Sequence, residues 1–377
     1  MITLGTVFTG IGAIEQALER LGIEHEIVFA CDNGDIDINI DVEKEKEILS
    51  QMTTCIEKKR YVDMLYASKS RKQNHVKKTY LANYNINEDN FHLDIRLFDG
   101  CDYHGQVDLL VGGSPCQSFS SVGYKGGLED ARGTLFYDYA RIIQEVQPKV
   151  FIYENVRGLT THDQGRTWQK MKAIFSEDLH YTVTEPQILN AADYGIPQNR
   201  RRVFVIGIRQ DIQALHFEYP QPVELKYTMQ DFLEDNCKDG DFTFDRATGD
   251  LIVGKSKGNP DPKFTLTPKV RDYVLAGGTK NFRTSTKTDL PIARTILKTM
   301  TQHHRAGVDN YITVSKKGDD ITLRSLTDRE TLRLMGYPDN FKMVVSSAQI
   351  FRQAGNSIVV DVMMAIVKQI LKTRALD

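Results

Sequence analysis

A cysteine at position 116 is the residue of this sequence best suited to covalent chemistry. It follows an apolar, β-prone segment at 107–111 and stands in the run Gly-Gly-Ser-Pro-Cys-Gln at 112–117. The two glycines let the backbone turn and Pro115 fixes φ just before the thiol, which predicts a sulfur atom on a loop at a strand end. An isolated cysteine is more often a small buried hydrophobe. This one has polar neighbours, namely Gln117, Ser118 and Ser120.

A thiol is a nucleophile only as the thiolate, so a partner must take its proton or lower its pKa. The sequence does not identify that partner, but two further apolar runs carry polar residues. Glu154 and Asn155 end one of them. In the run Gln-Asn-Arg-Arg-Arg at 198–202, alternate side chains point to one face of a strand that starts there, namely Gln198, Arg200 and Arg202. A carboxyl group and two guanidinium groups near a cysteine predict a site for a polar, planar substrate that is attacked covalently.

These residues need strands that bring them to one place. The run 2–8 predicts a first strand, and a glycine-rich turn at 9–12 opens an amphipathic helix. Further strands are predicted at 25–30, 92–95, 150–153 and 203–208, with a helix at 134–146 and alternation to about residue 209. This alternation predicts an α/β fold with a doubly wound, mostly parallel sheet.

Three of the predicted strand ends carry residues that suit a nucleoside-containing cofactor. The turn at 8–12 lets a ligand approach the backbone, although its spacing is not the GxGxxG of dinucleotide sites. Asp32 can accept hydrogen bonds from ribose hydroxyls, and Asp94 can accept one from an exocyclic amine. A tight turn without a ligand explains the glycines equally well, and single aspartates in such places are more often caps or turn residues.

The composition is typical of a soluble protein, and 377 residues favour two domains: 41% of residues are hydrophobic and 26% are charged. No apolar run approaches the length of a membrane span, and the N-terminus lacks a basic segment and a cleavage site. We therefore expect a cytoplasmic protein that does not contact membranes. Five widely spaced cysteines without a CxxC pair predict neither a disulfide framework nor structural zinc.

Charge is distributed unevenly, although the net charge is only −2. The segment 255–305 holds eleven Lys or Arg against three acids, and 57–78 holds eight against two. For 255–305 the functional interpretation is a polyanion-binding domain, and the alternative is a solvated surface. For 57–78 the functional interpretation is a phosphate-contacting arm, and the alternative is a solvated, partly helical insertion at about 33–75. The glycine-rich stretch 123–133 predicts a lid.

Two helices are predicted near the C-terminus. Thr327 and Glu330 have the spacing of a capping box. The stretch 355–367 predicts a terminal apolar helix, whose glycine turn would bring Asn356 and Ser357 to the cofactor pocket.

With these blocks in order, the chain resembles the bacterial C5-cytosine-specific DNA methyltransferases. The matching blocks are Phe-Thr-Gly-Ile-Gly at 8–12, Gly-Ser-Pro-Cys-Gln at 113–117, Gly-Thr-Leu-Phe at 133–136, Glu-Asn-Val at 154–156, Gln-Asn-Arg-Arg-Arg at 198–202 and Gln-Ala-Gly-Asn-Ser at 353–357. The resemblance implies a Rossmann-like, S-adenosylmethionine-dependent large domain at 1–225 and 348–377, with the insertion at about 33–75. A smaller target-recognition domain and hinge would occupy 226–347.

The resemblance also implies the chemistry. Cys116 would add to C6 of a flipped-out cytosine while Glu154 holds or protonates N3, which makes C5 nucleophilic towards the methyl group of S-adenosylmethionine. Arg202 would contact O2, Arg200 and Asn155 would order the site, and the Ser114 carbonyl would meet the N4 amine. Loss of the C5 proton and elimination of Cys116 would release 5-methylcytosine, with no metal.

The remaining assignments are two sets of residues. The cofactor set is Phe8, Gly10, Gly12, Asp32, Asp94, Ile95, Pro115, Leu135, Asn356 and Ser357. Asp32 stands where the family usually has Glu, one methylene longer. The set expected to contact the substrate or DNA is Ser114, Gln117, Ser120, Gln198, Lys287, Arg294, Thr295, Gln302, His304, Arg305, Arg71 and Gln73.

The insertion and the run 293–311 resemble mollicute enzymes that methylate CG, which predicts a short CG-type site in double-stranded DNA. We expect a monomer, and the resemblance allows a cognate restriction endonuclease in the same cell. Two alternatives stay open: a tRNA-directed relative with the same motifs, and a binding protein that keeps the fold without catalysis.

Overall fold

The computed structural model describes residues 1–114, 135–279, 282–300, 302, 304–318 and 320–377. The expectations for Pro115, Cys116, Gln117, Ser120 and the lid at 123–133 lie outside this part of the chain. The strands are β1 Ile2–Val7, β2 His25–Cys31, β3 Phe91–His92, β4 Leu109–Gly112, β5 Val150–Val156, β6 Tyr181–Val183, β7 Gln187–Asn190, β8 Gln198–Asn199, β9 Arg201–Arg209, β10 Phe242–Phe244, β11 Leu251–Val253, β12 Gly278–Thr279, β13 Phe282–Arg283, β14 Ala293–Arg294, β15 Tyr311–Lys317 and β16 Asp320–Ser325.

The helices follow the same order along the chain. They are α1 Ala13–Arg20, α2 Val42–Ser50, α3 Cys55–Lys69, α4 His75–Asn83, α5 Leu135–Val146, α6 Arg166–Ala173, α7 Pro268–Leu275, α8 Asp328–Arg333, α9 Ser347–Asn356 and α10 Val360–Thr373.

The central sheet has eight strands in the order β3-β2-β1-β4-β5-β9-β6, and β7 also pairs with β9. The first five strands of this order are parallel, and β9 is antiparallel to β5, β6 and β7. The predicted α/β fold with a mixed, mostly parallel sheet is therefore confirmed. Because parallel strands end at one edge, β1, β2, β4 and β5 deliver their last residues to the same side of the molecule.

Both faces of the sheet are covered, as the near-continuous apolar strands predict. In β5, Val150 and Ile152 belong to one hydrophobic cluster, and Phe151 and Tyr153 belong to the cluster on the other face. Helices α1, α4 and α10 pack into the first cluster, and α5 and α6 pack into the second. This double burial fixes the height and direction of each strand end.

The insertion at about 33–75 is a small packed unit that contains α2 and α3. Its own cluster includes Ile38, Leu49, Val62 and Tyr66. The side chains of Thr54 and Glu57 form a capping box at the start of α3. Asn74 caps α4 and donates from Nδ2 to the Asp32 carbonyl at 2.8 Å, so the insertion ends beside the second strand end.

The region expected to form the smaller domain does not have a core wholly its own. A separate cluster holds Leu266, Val274, Tyr311 and Leu323, around α7 and the β15–β16 hairpin. Other apolar side chains of 226–347, among them Phe232 and Leu332, join the main cluster with α1 and α10. The predicted capping box of Thr327 and Glu330 is present at α8.

The predicted helix at 355–367 is wrong at its start. Gly355 lies in the last turn of α9, which ends before Ser357, and α10 begins at Val360. A Cβ atom on Gly355 would lie 2.1 Å from the Lys298 amide nitrogen, so this glycine permits a close backbone approach and not a helix start. The stretch Ser347–Thr373 is long and apolar enough to cross a membrane by composition, contrary to expectation, but 56% of its most apolar window is buried in the protein.

Candidate active site

Glu154 occupies the end of β5 and faces the edge where the parallel strands finish. Its Oε1 lies 3.2 Å from the Arg202 Nε of the neighbouring strand β9. Burial raises the pKa of the Glu154 carboxyl group, and the charges of Arg202 and Arg200 oppose that rise. A Cβ atom on Gly113 would lie 2.7 Å from Glu154 Oε2, so only glycine leaves room for the acid here. The pair is a carboxyl group inclined to hold a proton beside a fixed cation.

Asn155 points the other way and fixes the backbone before the cysteine motif. Its Nδ2 donates to the Ser114 carbonyl at 3.1 Å and to the Tyr153 hydroxyl at 2.8 Å. The Ser114 and Tyr153 hydroxyls are 2.8 Å apart. Among the described residues, Asn155 is the side-chain donor to the Ser114 carbonyl, which leaves its second lone pair for one more donor.

Arg200 joins three segments of the chain. Its guanidinium donates to the carbonyls of Ile296, Gly355 and Ser357 at 2.9, 3.0 and 2.6 Å. Burial lowers the pKa of Arg200 to about 9, which leaves the group cationic at neutral pH. Arg200 therefore sets the position of the α9–α10 turn relative to the active-site strands.

Gln198, which was expected to contact the substrate or DNA, points into the protein interior. The side chain is fully buried, its Nε2 donates to the Leu334 carbonyl at 2.6 Å, and its Oε1 accepts from the Ile296 amide at 2.9 Å. The expected alternation of three side chains on one face also fails, because β8 ends at Asn199 and β9 begins at Arg201. Gln198 and Arg200 therefore hydrogen-bond to the amide and the carbonyl of Ile296, respectively.

A cleft opens between the ends of β1 and β4 and the α9–α10 turn. Five of the predicted cofactor or catalytic residues line it, namely Phe8, Gly10, Glu154, Asn356 and Ser357. Phe8 has φ 53, a left-handed conformation that is an outlier for a bulky residue and marks a functional site. The sequence analysis missed Thr6, Thr9 and Ile358, which line the same cleft. Their only signal was adjacency to the glycine turn and to the break after α9.

The turn that carries Gly10 and Gly12 is held by hydrogen bonds to Asp32 and to Tyr84. The Gly10 amide donates to Asp32 Oδ2 at 2.9 Å, and the Gly34 amide donates to Oδ1 at 2.8 Å. The Tyr84 hydroxyl contacts the carbonyls of Ile11 and Gly12 at 3.0 and 2.7 Å. A fixed carboxylate next to a glycine turn fits the ribose and the amino-acid part of S-adenosylmethionine, so the residues present are compatible with that ligand.

Among the described residues of the predicted cofactor set, five do not line the cleft, namely Gly12, Asp32, Asp94, Ile95 and Leu135. The Asp94 carboxylate is bonded to Arg96 at 2.7 Å and accepts from the Tyr66 hydroxyl at 2.9 Å, and β3 ends at His92, not at residue 95. Ile95 is buried in the second hydrophobic cluster, and Leu135 packs against it. The described residues also contain one group that could hold a metal, Asp99, Cys101 and Glu145, but its acids pair with Lys58 and Arg141.

The residues expected to contact DNA differ in their exposure and in their hydrogen bonds within the protein. Lys287, Gln302, Arg71 and Gln73 are exposed. The Arg294 guanidinium donates to the Asp309 carbonyl, and Arg305 pairs with the Asp309 carboxylate, so both organise the 294–310 loop. Burial lowers the pKa of His304. The Thr295 hydroxyl bonds to the Asn199 carbonyl beside Arg202.

The fold and the cleft together define the class of the protein. The Dnmt2 methyltransferase of S. pombe matches over 99% of both chains, with a TM-score of 0.64 and 16% identity. The methyltransferase EhMeth of Entamoeba histolytica matches over 98% of both chains, with a TM-score of 0.56 and 15% identity. At these identities the likeness concerns the fold, which is the Rossmann-like α/β fold of methyltransferases.

The chain belongs to the C-5 cytosine-specific DNA methylase family, whose model matches residues 50–372. It is 35% identical to the type II methyltransferase M.HpaII of Haemophilus parainfluenzae over 274 residues, which cover 71% of this chain and 72% of that protein. It is 36% identical to M.HhaI of Haemophilus parahaemolyticus over 259 residues, covering 69% and 74%. The protein is therefore a DNA cytosine-5-methyltransferase, and family and fold support S-adenosylmethionine as the methyl donor.

Proposed function

We propose that the protein methylates C5 of a cytosine flipped out of double-stranded DNA, through a covalent adduct between Cys116 and C6. The observation that carries the proposal is that Glu154, with Arg202 at 3.2 Å, forms one wall of the cleft lined by Phe8, Gly10 and Asn356. A base held by Glu154 would therefore lie next to S-adenosylmethionine bound in that cleft. The target base must leave the duplex to enter, at a cost of roughly a few kcal/mol.

Glu154 supplies the proton that makes the ring electrophilic. Burial raises the pKa of the Glu154 carboxyl group, which favours proton transfer from this group to N3 as the sulfur attacks C6. Arg202 then faces O2, and its charge stabilises the carboxylate that Glu154 becomes. The Ser114 carbonyl, held by Asn155, accepts from the N4 amine and so disfavours thymine, which has no donor there.

The reaction passes through a covalent adduct between the enzyme and the base. The Cys116 thiolate forms a bond to C6, and the electron pair of the C5–C6 double bond moves to C5. S-adenosylmethionine, when bound, supplies an electrophilic methyl group and leaves as S-adenosylhomocysteine. A base then removes the C5 proton, the C5–C6 double bond re-forms, Cys116 departs as thiolate, and N3 returns its proton to Glu154. No step needs a metal.

Duplex DNA is the proposed substrate because the segment 255–305 is strongly basic and several of its cations stay exposed, including Lys287 and Lys298. We assign 226–347 to target recognition and the rest to the catalytic domain. Arg71 and Gln73 are exposed at the end of the insertion, where they can reach the DNA. The protein would work in the cytoplasm as a monomer, alongside a cognate restriction endonuclease where one exists.

Bisulfite sequencing of DNA from cells that express the protein tests product and context together. We expect 5-methylcytosine confined to a short CG-type site, and plasmid protected from CG-sensitive nucleases only. Protection confined to another sequence would reject the CG assignment and leave the chemistry intact. Transfer of labelled methyl groups from S-adenosylmethionine to tRNA but not to duplex DNA would reject the substrate.

A further inference from the structure

A second cavity lies on the other side of Arg202 from the cofactor cleft. Its volume is about 340 Å³, and its lining residues are Arg157, Asn199, Arg201, Arg202 and Thr295. Arg157 directly follows β5, Asn199 and Arg201 flank the β8–β9 junction, and Thr295 directly follows β14. Three of the five lining residues are arginines and none is an acid.

The charge of this cavity is not compensated within the described chain. Arg202 is paired with the Glu154 carboxyl group, at 3.2 Å. Arg157 and Arg201 are exposed, and no ion pair or hydrogen bond of their guanidinium groups occurs among the residues that the structure describes. Two unneutralised guanidinium groups thus border one open cavity.

The frame of the cavity is rigid. The Thr295 hydroxyl bonds to the Asn199 carbonyl, and Arg202 Nη1 donates to the Arg201 carbonyl at 2.9 Å. β8 and β14 are paired in parallel, with Arg294 opposite Asn199. Because these contacts hold the backbone at Asn199 and Arg201, the Arg201 guanidinium group extends from a fixed point.

We propose that Arg157 and Arg201 bind the phosphodiester groups that flank the flipped nucleotide on the target strand. The proposal rests on the proposed function, because it is the base at Glu154 that brings its own backbone to this cavity. A base and its flanking phosphates are joined through one sugar, and Arg202 borders both the acid and the cavity. Guanidinium groups bind phosphate oxygens in a planar, bidentate manner, which suits this lining.

The test compares Arg157→Gln/Arg201→Gln with Lys368→Gln/Arg374→Gln, which removes the same number of charges. Lys368 and Arg374 are exposed near the C-terminal end of α10, and the other end of α10 adjoins the cleft. Binding of a duplex with the methylated site is measured by fluorescence anisotropy at several salt concentrations. For Arg157→Gln/Arg201→Gln we expect roughly tenfold weaker binding at low salt, and a salt slope smaller by about 1 for each phosphate that is no longer neutralised. Lys368→Gln/Arg374→Gln keeps the wild-type slope.

A second arm locates the phosphates. Uncharged methylphosphonate linkages on both sides of the target cytosine should weaken wild-type binding but leave that of the double variant unchanged. Equal weakening of both proteins, or an Arg157→Gln/Arg201→Gln variant that binds as Lys368→Gln/Arg374→Gln does, would overturn this inference while wild-type methylation continued. A wild-type protein that methylates no duplex DNA would overturn the proposed function as well.

Discussion

At the scale of single residues, burial decides what Glu154 can do. A surface glutamate is ionised at neutral pH, whereas this one is enclosed by Gly113 and the β5–β9 pair and has a raised pKa. Arg202 at 3.2 Å limits that rise, so the group can give up its proton during the reaction and recover it afterwards.

Glu154→Gln should lower kcat by at least about 100-fold, because an amide cannot transfer a proton to N3. DNA affinity should stay within a few-fold of wild type, since the shape and polarity of the side chain are kept. Single-turnover methylation and anisotropy measure the two effects, with the exposed Glu224→Gln as control. A variant that keeps a tenth or more of the wild-type kcat would remove Glu154 from the chemistry.

Glu15 in α1 gives the clearest pH-dependent prediction. Burial raises its pKa from 4.5 to about 7; the Tyr80 hydroxyl bonds to one oxygen, and the other oxygen has no partner in the described chain. The folded state therefore binds this proton more tightly than the unfolded state does. Its contribution to stability is full below pH 4.5 and is lost as pH rises through 7, by about 3 kcal/mol.

Urea unfolding at pH 4.5 and pH 8 tests this with Glu15→Gln. Between these two pH values, Glu15→Gln should lose about 3 kcal/mol less stability than wild type loses. The exposed Glu26→Gln should lose as much stability as wild type. An equal loss in wild type and Glu15→Gln would show that Glu15 is already ionised at low pH or stays protonated throughout.

At the scale of elements, α4 positions the glycine turn that the cofactor approaches. Tyr84, at its end, bonds to the carbonyls of Ile11 and Gly12, and Tyr80 packs against Tyr84 with ring centroids 4.9 Å apart. The turn thus depends on a helix that begins some sixty residues later, directly after the insertion. The insertion is linked to the cofactor side of the protein through Asn74 and α4.

Tyr84→Phe should raise the KM for S-adenosylmethionine about fivefold, since a hydrogen bond contributes roughly 1 kcal/mol. We expect kcat and DNA affinity to stay within twofold. The control is Tyr194→Phe, which removes an equally buried hydroxyl from the Pro220 carbonyl, outside the cleft. If both variants raise the KM equally, the effect is general loosening of the fold and not loss of the turn.

Local patterns predicted five strands of the central sheet, β1, β2, β4, β5 and β9, together with α1, α5 and the α8 capping box, because hydrophobic periodicity and capping are properties of neighbouring residues. They failed where the partner is distant in sequence. Gln198 bonds to atoms 98 and 136 residues away, and Gly355 faces the backbone of Lys298. Asp94 is bonded by Tyr66 from the insertion, which no strand-end pattern could indicate.

At the scale of the whole molecule, a buried ion pair joins the first helix, α1, to the last helix, α10. Arg20 of α1 makes a two-point ion pair with Asp361 of α10, at 2.8 and 2.9 Å, and also bonds to the carbonyls of Gly249 and Gly336. Arg20 is fully buried. One side chain thus joins the first helix, the last helix and the region between them.

Asp361→Leu should destabilise the protein by about 3 kcal/mol or more, because it leaves a buried cation without its counterion. Arg20→Met/Asp361→Leu should recover much of that loss. The exposed pair of Lys46 and Glu43 is the control, and its disruption should change stability by less than about 1 kcal/mol. Urea unfolding measures all of these, and a double variant no more stable than Asp361→Leu would contradict the account.

The central claim is a transient bond between one sulfur atom and a pyrimidine ring, and trapping that bond tests it most directly. Duplex DNA with 5-fluorocytosine at the target position blocks the last step, because fluorine cannot leave as the proton does. Incubated with S-adenosylmethionine, the wild-type protein should form an SDS-resistant adduct that maps to Cys116, and Cys116→Ser should form none. No adduct, or an adduct at another residue, would contradict the proposed mechanism.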